Sequence, residues 1–393
     1  MTRQNMTQGR GGALASNLQR RRLLQLMGAG GLGLVGGLPF ASRVAAQEVA
    51  IALWASATLD IGEGWSRLTD ATAIISTFTD NGNDMGPVVA RLAAGNANDL
   101  FDMGGFQGGA ERELFRQGQI VPWDLAKIPN FEKLWPWAKD MPHLKSDDGA
   151  QLGIPSVVNA DSIIYRKDKL GVVDSYGVIF DPALKGRVAM EDAWINTAVF
   201  AAMYLKESEN QPIKDPGNLS VDELGLVMEF LIKHKTDGQF RTFWNGWEQG
   251  VQLVADEEVD AMTGWEPIVY EGQKRGLDVA YAVPVEGYEG WGNNTVLLRG
   301  ATERGVSDPA HALVNWMLDG YYGCALATSR GYIVPSETTA GYAAANPSEF
   351  DPADIAAKAD HVASKFAGKV YWQNVRPDNF QLYEEWWQKL RNA

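Results

Sequence analysis

The chain alternates short apolar runs with longer segments in which apolar residues recur at helical spacing. The pattern predicts strands over 49–54, 73–79 and 99–105, and a helix over 85–95 that closes at Gly95. Because each strand is followed by a helix or a glycine loop, we expect an open, largely parallel α/β sheet. Ligands of such sheets bind beyond the carboxyl ends of the strands.

The same alternation returns in the middle of the chain. Residues 151–171 predict a strand that runs directly into a second one, and 186–191 predict a short strand. An amphipathic helix is predicted over 219–235, and 247–267 predict a helix, an acidic turn and a further strand. A long helix is predicted over 309–328.

The segment GYEGWGNN at 287–294 interrupts this pattern between strand-like runs at 279–285 and 295–298. Three glycines and two amides are poor strand formers, so we predict an irregular segment here. Trp291 in its middle either packs beneath the loop or lines a binding site.

The N-terminus has the order of an export signal. Arg20 and Arg21 precede a weakly apolar, glycine-rich stretch, and 44–46 supply small residues for cleavage before Gln47. Paired arginines with a mild apolar segment resemble the twin-arginine type, and the stretch is short for a membrane anchor. We therefore exclude 1–46 from the fold and expect a periplasmic protein of the Gram-negative type.

The remaining chain is long and acidic. All six arginines of 1–46 leave with the signal and no acid does, so 49 acidic residues face 29 of the original 35 basic ones. A chain of this length fits two domains. Its negative field disfavours nucleic acid and anionic lipid as partners and favours cationic ligands.

Residues that would indicate an enzyme are scarce. The single cysteine, Cys324, is expected to be packing, and the four histidines show no metal-ligand spacing. No nucleophile elbow, phosphate loop or dinucleotide fingerprint follows a predicted strand. We expect no cofactor, no metal and no catalysis, with a twin-arginine-exported hydrolytic enzyme as the less favoured alternative.

Seven phrases in order resemble the solute-binding proteins of ABC importers, specifically the spermidine/putrescine-binding branch. They are VAIALWAS, LGIPSVVNADSIIYRKDKLG, FDPALKGRVAMEDAW, VDAMTGWEP, VEGYEGWGNNTVLL, SRGYIVPS and YWQNVRPDNFQLYEEWWQKL. The resemblance implies a two-lobed periplasmic-binding-protein fold of type II, each lobe an open α/β sheet flanked by helices, with hinge strands between. It also implies a small-molecule ligand in the cleft, an ABC permease as partner, and a monomer.

The resemblance places hinge crossings near 159–161 and 292–294. One lobe is then expected to comprise 47–160 plus about 294–340, and the other about 161–293 plus 341–393. Hinges of this kind absorb changes in backbone angles while the lobes stay rigid.

The expected ligand-binding residues combine strand ends with positions that match the family. They are Trp54, Ser56, Phe106, Asp192, Trp265, Glu266, Trp291, Asn293 and Gln373. Two positions where polyamine binders carry acids hold Ile195 and Asn293 instead. We expect Glu266, Asp161, Asp102 or Glu289 to restore the missing charge.

Several ligand classes stay open. A polyamine-like compound needs carboxylates at matching intervals, whereas an indole cage with one acid suits a compact ammonium ion. Indoles also stack on sugars, so a neutral or anionic solute such as a sugar or amino acid is an alternative. Iron through Tyr321 and Tyr322 is disfavoured, because only Asp319 flanks them.

Overall fold

The computed structural model describes residues 48–82, 85–107, 109–373 and 377–393, and the predicted signal lies outside these ranges. The strands are β1 Val49–Ala55, β2 Ile74–Asp80, β3 Met103–Gln107, β4 Ile120–Val121, β5 Gly153–Arg166, β6 Val188–Glu191, β7 Phe240–Trp244, β8 Ala261–Gly264, β9 Val279–Tyr281, β10 Tyr288–Leu298 and β11 Val370–Trp372. The helices are α1 Ser66–Thr72, α2 Met85–Ala93, α3 Glu111–Arg116, α4 Pro136–Lys139, α5 Lys167–Leu170, α6 Gly177–Phe180, α7 Trp194–Glu207, α8 Val221–Thr236, α9 Trp247–Ala255, α10 Pro267–Lys274, α11 Arg299–Glu303, α12 Ser307–Met317, α13 Tyr321–Arg330, α14 Glu337–Ala345, α15 Pro352–Phe366 and α16 Phe380–Asn392.

The strands follow the order β2-β1-β3-β10-β5-β8-β6-β7, with β4 and β11 on β10 and β9 on β5. The pairs β1–β2, β1–β3, β6–β7 and β6–β8 are parallel, as the alternation predicts. The central pairs β3–β10, β5–β10 and β5–β8 are antiparallel. The sheet is therefore mixed, with parallel regions on both sides of an antiparallel centre.

Strand β5 joins two groups of hydrophobic clusters. Its first half contributes Ile154 and Val157 to a cluster with β1–β3 and helix α12. Its second half contributes Ile163 and Tyr165 to a cluster with β6 and helices α7, α8 and α16. The strand thus passes from one core into another between 158 and 162, close to the hinge predicted at 159–161.

The C-terminal helices divide between the two groups. Helix α15 packs with α13 and α14 in a cluster that includes Leu144 and Val158. Helix α16 packs on α8, where Tyr383 and Trp387 join the other core. The lobe boundaries given above remain predictions.

The prediction that GYEGWGNN is irregular is wrong. Residues 288–298 form the central strand β10, and its register with β5 shifts between Asn293 and Asn294, where Ser156 of β5 is the extra residue. Its glycines allow close packing: a Cβ on Gly290 would lie 2.4 Å from Val370 Cγ1. Neighbouring strands approach here because a side chain is absent.

The predicted helix over 309–328 is two helices, α12 and α13. Gly320 between them has a φ of +118°, and a Cβ there would lie 2.7 Å from the carbonyl oxygen of Thr338. By contrast, α8 begins as its sequence indicates, with a capping box between Ser220 and Glu223. Within the described ranges, no helix combines the length and apolarity required to span a bilayer.

Candidate functional site

The central strands β5 and β10 place two acids side by side. Asp161 is the direct cross-strand partner of Glu289, and Asn159 is the partner of Trp291. Directly opposed residues of an antiparallel pair project from the same face, with Cβ atoms about 5 Å apart. Asp161, Glu289 and Trp291 therefore share one face of the sheet where the chain passes between the two cores.

Glu289 is completely buried and unpartnered. Neither carboxylate oxygen has a hydrogen-bond partner among the described residues. Burial raises the pKa of Glu289 well above its ordinary value, and the charges of Asp161 and Glu191 raise it further. An acid without a donor or a cation is costly at this depth, so its carboxyl group holds a proton unless something positive arrives.

Asp161 is buried beside Glu289, but its carboxylate has polar neighbours. The hydroxyl of Tyr281 donates to its Oδ1 at 3.4 Å, and the indole N–H of Trp291 faces its carboxylate without forming a well-shaped hydrogen bond. Burial raises the pKa of Asp161 to about 7, an effect that Trp291 and Lys365 oppose and Glu266 reinforces.

Glu191 is a third acid of this group, and the sequence analysis did not select it. It ends β6, and its Oε2 accepts a hydrogen bond from Asn196 Nδ2 at 3.0 Å. Desolvation and then the charge of Asp161 raise its pKa to about 8, while Asn196 and the Trp265 indole lower it. Trp265 follows β8, which pairs with β6 in parallel, so their carboxyl ends meet at one edge.

The neighbouring Asp192 points elsewhere. Its carboxylate accepts hydrogen bonds from Arg391 Nη2 at 2.7 Å and from Trp387 Nε1 at 3.1 Å, and both donors belong to α16. The alternation of side chains along a strand explains the difference, since consecutive residues face opposite sides. The sequence marks the strand end at 191–192, but it does not tell which of the two acids faces the central strands.

Two indoles border the acids. Trp291 is buried and packs edge-on against Tyr332, with ring centroids 5.2 Å apart. Tyr332 is buried as well, and burial and then the charge of Asp161 raise the pKa of its hydroxyl. Trp265 packs edge-on against Trp244 at 5.0 Å and is only half-buried, as is Glu191. The more open side of the group therefore lies at the ends of β6 and β8.

Glu266 belongs to the same group but is already neutralised. Its Oε2 lies 2.7 Å from Lys365 Nζ and its Oε1 lies 2.6 Å from His361 Nε2. Although burial opposes the change, these two bases lower the pKa of Glu266 to about 2. Asp102, another acid considered as a replacement, accepts hydrogen bonds from Arg304 instead.

Trp54 and Phe106 pack together in a different cluster. Both are buried with Val296, and Trp54 stacks on Phe101 at 5.3 Å with Arg91 over its ring. Trp54 and Phe106 lie near the carboxyl ends of β1 and β3, as predicted, and their rings pack within this buried cluster.

Asn293 and Ser56 are linked through one hydroxyl. Asn293 Nδ2 donates to Thr58 Oγ1, which donates to Ser56 Oγ at 3.0 Å. The Oδ1 of Asn293 is buried without a partner in the described chain. The backbone N–H of Gln373 donates to the Gly290 carbonyl, which brings this residue to the strand that carries Glu289 and Trp291.

The structure thus brings Trp265, Glu266 and Trp291 together with Asp161, Glu191 and Glu289. Trp54, Phe106 and Asp192 contact other groups. Tyr322, one of the two tyrosines considered for iron, lies in the core, where its hydroxyl donates a hydrogen bond to the Leu59 carbonyl. No group of three or more His, Cys, Asp or Glu in the described ranges could hold a metal ion. What the acids and indoles share is an affinity for organic cations.

Comparison with known proteins supports this architecture. The family model of bacterial extracellular solute-binding proteins matches residues 69–360. No curated protein matches the chain at a significant level.

Solved structures of two-lobed binding proteins superimpose on most of the chain. The spermidine/putrescine ABC transporter substrate-binding protein of Streptococcus pneumoniae has a TM-score of 0.68 at 14% identity, covering 88% of this chain and 99% of that one. The TpPotD lipoprotein of Treponema pallidum has a TM-score of 0.67 at 14% identity, covering 88% and 100%. The PBP MotA of A. tumefaciens B6, solved with glucopine, has a TM-score of 0.63 at 16% identity, covering 87% and 100%.

These likenesses confirm the predicted two-lobed α/β fold, and the family is one of exported proteins that bind solutes for ABC transporters. The chain belongs to the bacterial extracellular solute-binding protein family.

Proposed function

We propose that this protein captures a small organic cation with more than one ammonium group between its lobes and delivers it to an ABC permease. The observation that carries the proposal is Glu289, a fully buried carboxyl group with no partner for either oxygen among the described residues. A ligand ammonium supplies the missing donor and the missing charge in one contact.

The charges of the three acids favour a cationic ligand. Asp161, Glu191 and Glu289 act on one another electrostatically, and within the described ranges none of them forms an ion pair. Three acids that share a desolvated site are mutually unfavourable unless positive charge arrives with the ligand. Three unpaired acids are more than the single acid that an indole cage for a compact monocation needs, and this surplus favours a polyamine-like ligand.

The arrangement of the indoles supports the same class. Trp291 faces Asp161, and Trp265 lies against Glu191, so two acids each have an indole neighbour. An ammonium group gains from a carboxylate and from the face of an aromatic ring together. Two such acid–indole pairs suit a ligand with an ammonium group at each end of an alkyl chain.

Zwitterionic and anionic solutes fit less well. A ligand carboxylate would lie beside the acids Asp161, Glu191 and Glu289, and the ammonium group of Lys365 is already directed at three protein oxygens. The glucopine complex of MotA is a property of that protein. We therefore keep sugars and amino acids as outcomes of the test.

The remaining parts of the proposal follow from the same role. The protein is expected to work in the periplasm after twin-arginine export, as a monomer, and without turning its ligand over. Trp54, Ser56, Phe106, Asn293 and Gln373 stay as predicted ligand contacts, beside the central set of Trp265, Glu266, Trp291, Asp161, Glu191 and Glu289. Glu191 takes the place of Asp192 as the ligand acid at the end of β6.

The test is calorimetric titration of the mature chain with 1,4-diaminobutane, spermidine, choline, 4-aminobutanoate and glucose. We expect saturable 1:1 binding of the diamine or triamine, with no product formed. Binding of only glucose or 4-aminobutanoate would overturn the proposal.

A further inference from the structure

A lysine side chain lies inside the candidate site. Lys365 is only 1% exposed, and its Nζ donates to Asn159 Oδ1 at 3.0 Å, to the Ala160 carbonyl at 3.1 Å and to Glu266 Oε2 at 2.7 Å. The ammonium also lies 4.7 Å from the centroid of the Tyr281 ring. Carboxylate, carbonyl and aromatic ring are the contacts that a bound alkylammonium would make.

This lysine comes from outside the acidic group that it touches. It is carried by α15, which packs with α13 and α14, whereas Glu266 precedes α10, whose Ile268 packs in a different cluster. Asn159 and Ala160 belong to the part of β5 that passes between the cores. One ammonium group therefore joins three separate parts of the chain at the centre of the site.

The ion pair between Lys365 and Glu266 changes which acids of the site are available to a ligand. Lys365 consumes the charge of Glu266, with help from His361, and leaves Asp161, Glu191 and Glu289 for the ligand. Its own three hydrogens are all used, so it has none left for a ligand carboxylate.

We propose that Lys365 acts as a built-in ammonium group. It occupies the position that a further ammonium group of a longer polyamine would take, and it thereby limits the number of ammonium groups in the ligands that the site binds. This inference rests on the proposed function. It assigns Lys365 as a positioning residue that determines specificity through Glu266.

The test is the ratio of affinities for spermidine, with three ammonium groups, and 1,4-diaminobutane, with two. In Lys365→Ala the aminoalkyl arm of spermidine can replace the deleted side chain, so we expect the ratio to shift at least tenfold toward spermidine. In Glu266→Gln the charge of Lys365 is no longer cancelled by a carboxylate, so the ratio is expected to shift toward the diamine.

Lys358→Ala is the matched control on the same helix, because the half-buried Lys358 contacts Asp354 and the Ala327 carbonyl rather than Glu266. Its ratio is expected to stay within twofold of wild type. A purely structural role of Lys365 would change both affinities together and leave the ratio fixed.

The outcomes separate the two proposals. Wild-type protein that binds neither amine would overturn the proposed function and this inference with it. Wild-type protein that binds an amine while the ratio stays constant in both site variants would overturn this inference alone. If Lys365→Ala does not fold, the direction of the Glu266→Gln shift decides.

Discussion

Asp161 and Glu289 face each other across β5 and β10, two buried acids at directly paired positions of the central strands. This pairing opposes folding when both are ionised, because like charges lie close together away from water. Burial favours the protonated form of Glu289, and binding that proton costs free energy at neutral pH. Glu289→Gln keeps the shape and is neutral without a proton, so the ligand-free variant should gain about 1 kcal/mol in free energy of unfolding. Its affinity for a diamine should fall at least tenfold.

Urea unfolding and calorimetric titration measure the two effects. Glu286→Gln is the matched control, because Glu286 is equally buried but accepts hydrogen bonds from Ser175, Ser208 and the Tyr176 backbone. It should lose stability and keep its affinity. A Glu289→Gln variant that is less stable and binds the diamine normally would argue against a ligand contact.

The pH dependence follows from the raised pKa values of Asp161, about 7, and Glu191, about 8. Both acids ionise near pH 4 in the unfolded chain, so between about pH 4 and 8 the folded state binds more protons and the stability of the ligand-free protein falls as pH rises. A cation prefers the ionised acids, so stabilisation by the diamine should grow over the same interval. Melting curves with and without ligand at about pH 5.5 and 8.5 measure both trends, and equal ligand shifts at the two values would contradict them.

Adjacent acids at the end of β6 allow a direct comparison. Glu191 lies with the acidic group, whereas Asp192 is bound by Arg391 and Trp387. Glu191→Gln is expected to weaken diamine binding at least tenfold, and Asp192→Asn to change it less than threefold while lowering stability slightly. The opposite ranking in calorimetric titration would restore the original assignment of Asp192 as the ligand acid.

Close packing of β11 on β10 depends on Gly290. A methyl group there would meet Val370 Cγ1 at 2.4 Å and Trp372 Cε3 at 3.3 Å, so Gly290→Ala should cost about 1–3 kcal/mol of unfolding free energy. Gly341→Ala is the control, because Gly341 lies in α14 with open space around it and should gain up to about 1 kcal/mol. Equal effects of the two substitutions in urea unfolding would contradict the packing argument.

Most regular elements could be predicted from the sequence, because amphipathic periodicity and local caps fix them. Helix α8 with its capping box is an example. The failure at β10 has a tertiary cause, since the glycines of 287–294 accommodate neighbouring strands that no local pattern reveals. The two-lobed fold came from the resemblance of ordered phrases, and the structural comparisons confirm it.

The candidate site was only partly predictable. Trp265, Trp291 and Glu266 lie in the acidic group, and Asp161 and Glu289 were among the acids considered as replacements. Glu191 was missed because a shift of one residue along a strand reverses the face. Nothing in the sequence indicates that Lys365, about 100 residues after Glu266, neutralises it.

The most direct measurement is a crystal structure of the mature protein with 1,4-diaminobutane. We predict one ammonium nitrogen within about 3 Å of the Glu289 or Asp161 carboxylate, and the other at Glu191 beside Trp265. A diamine bound elsewhere, with the Glu289 carboxyl still buried and without a partner, would contradict the account.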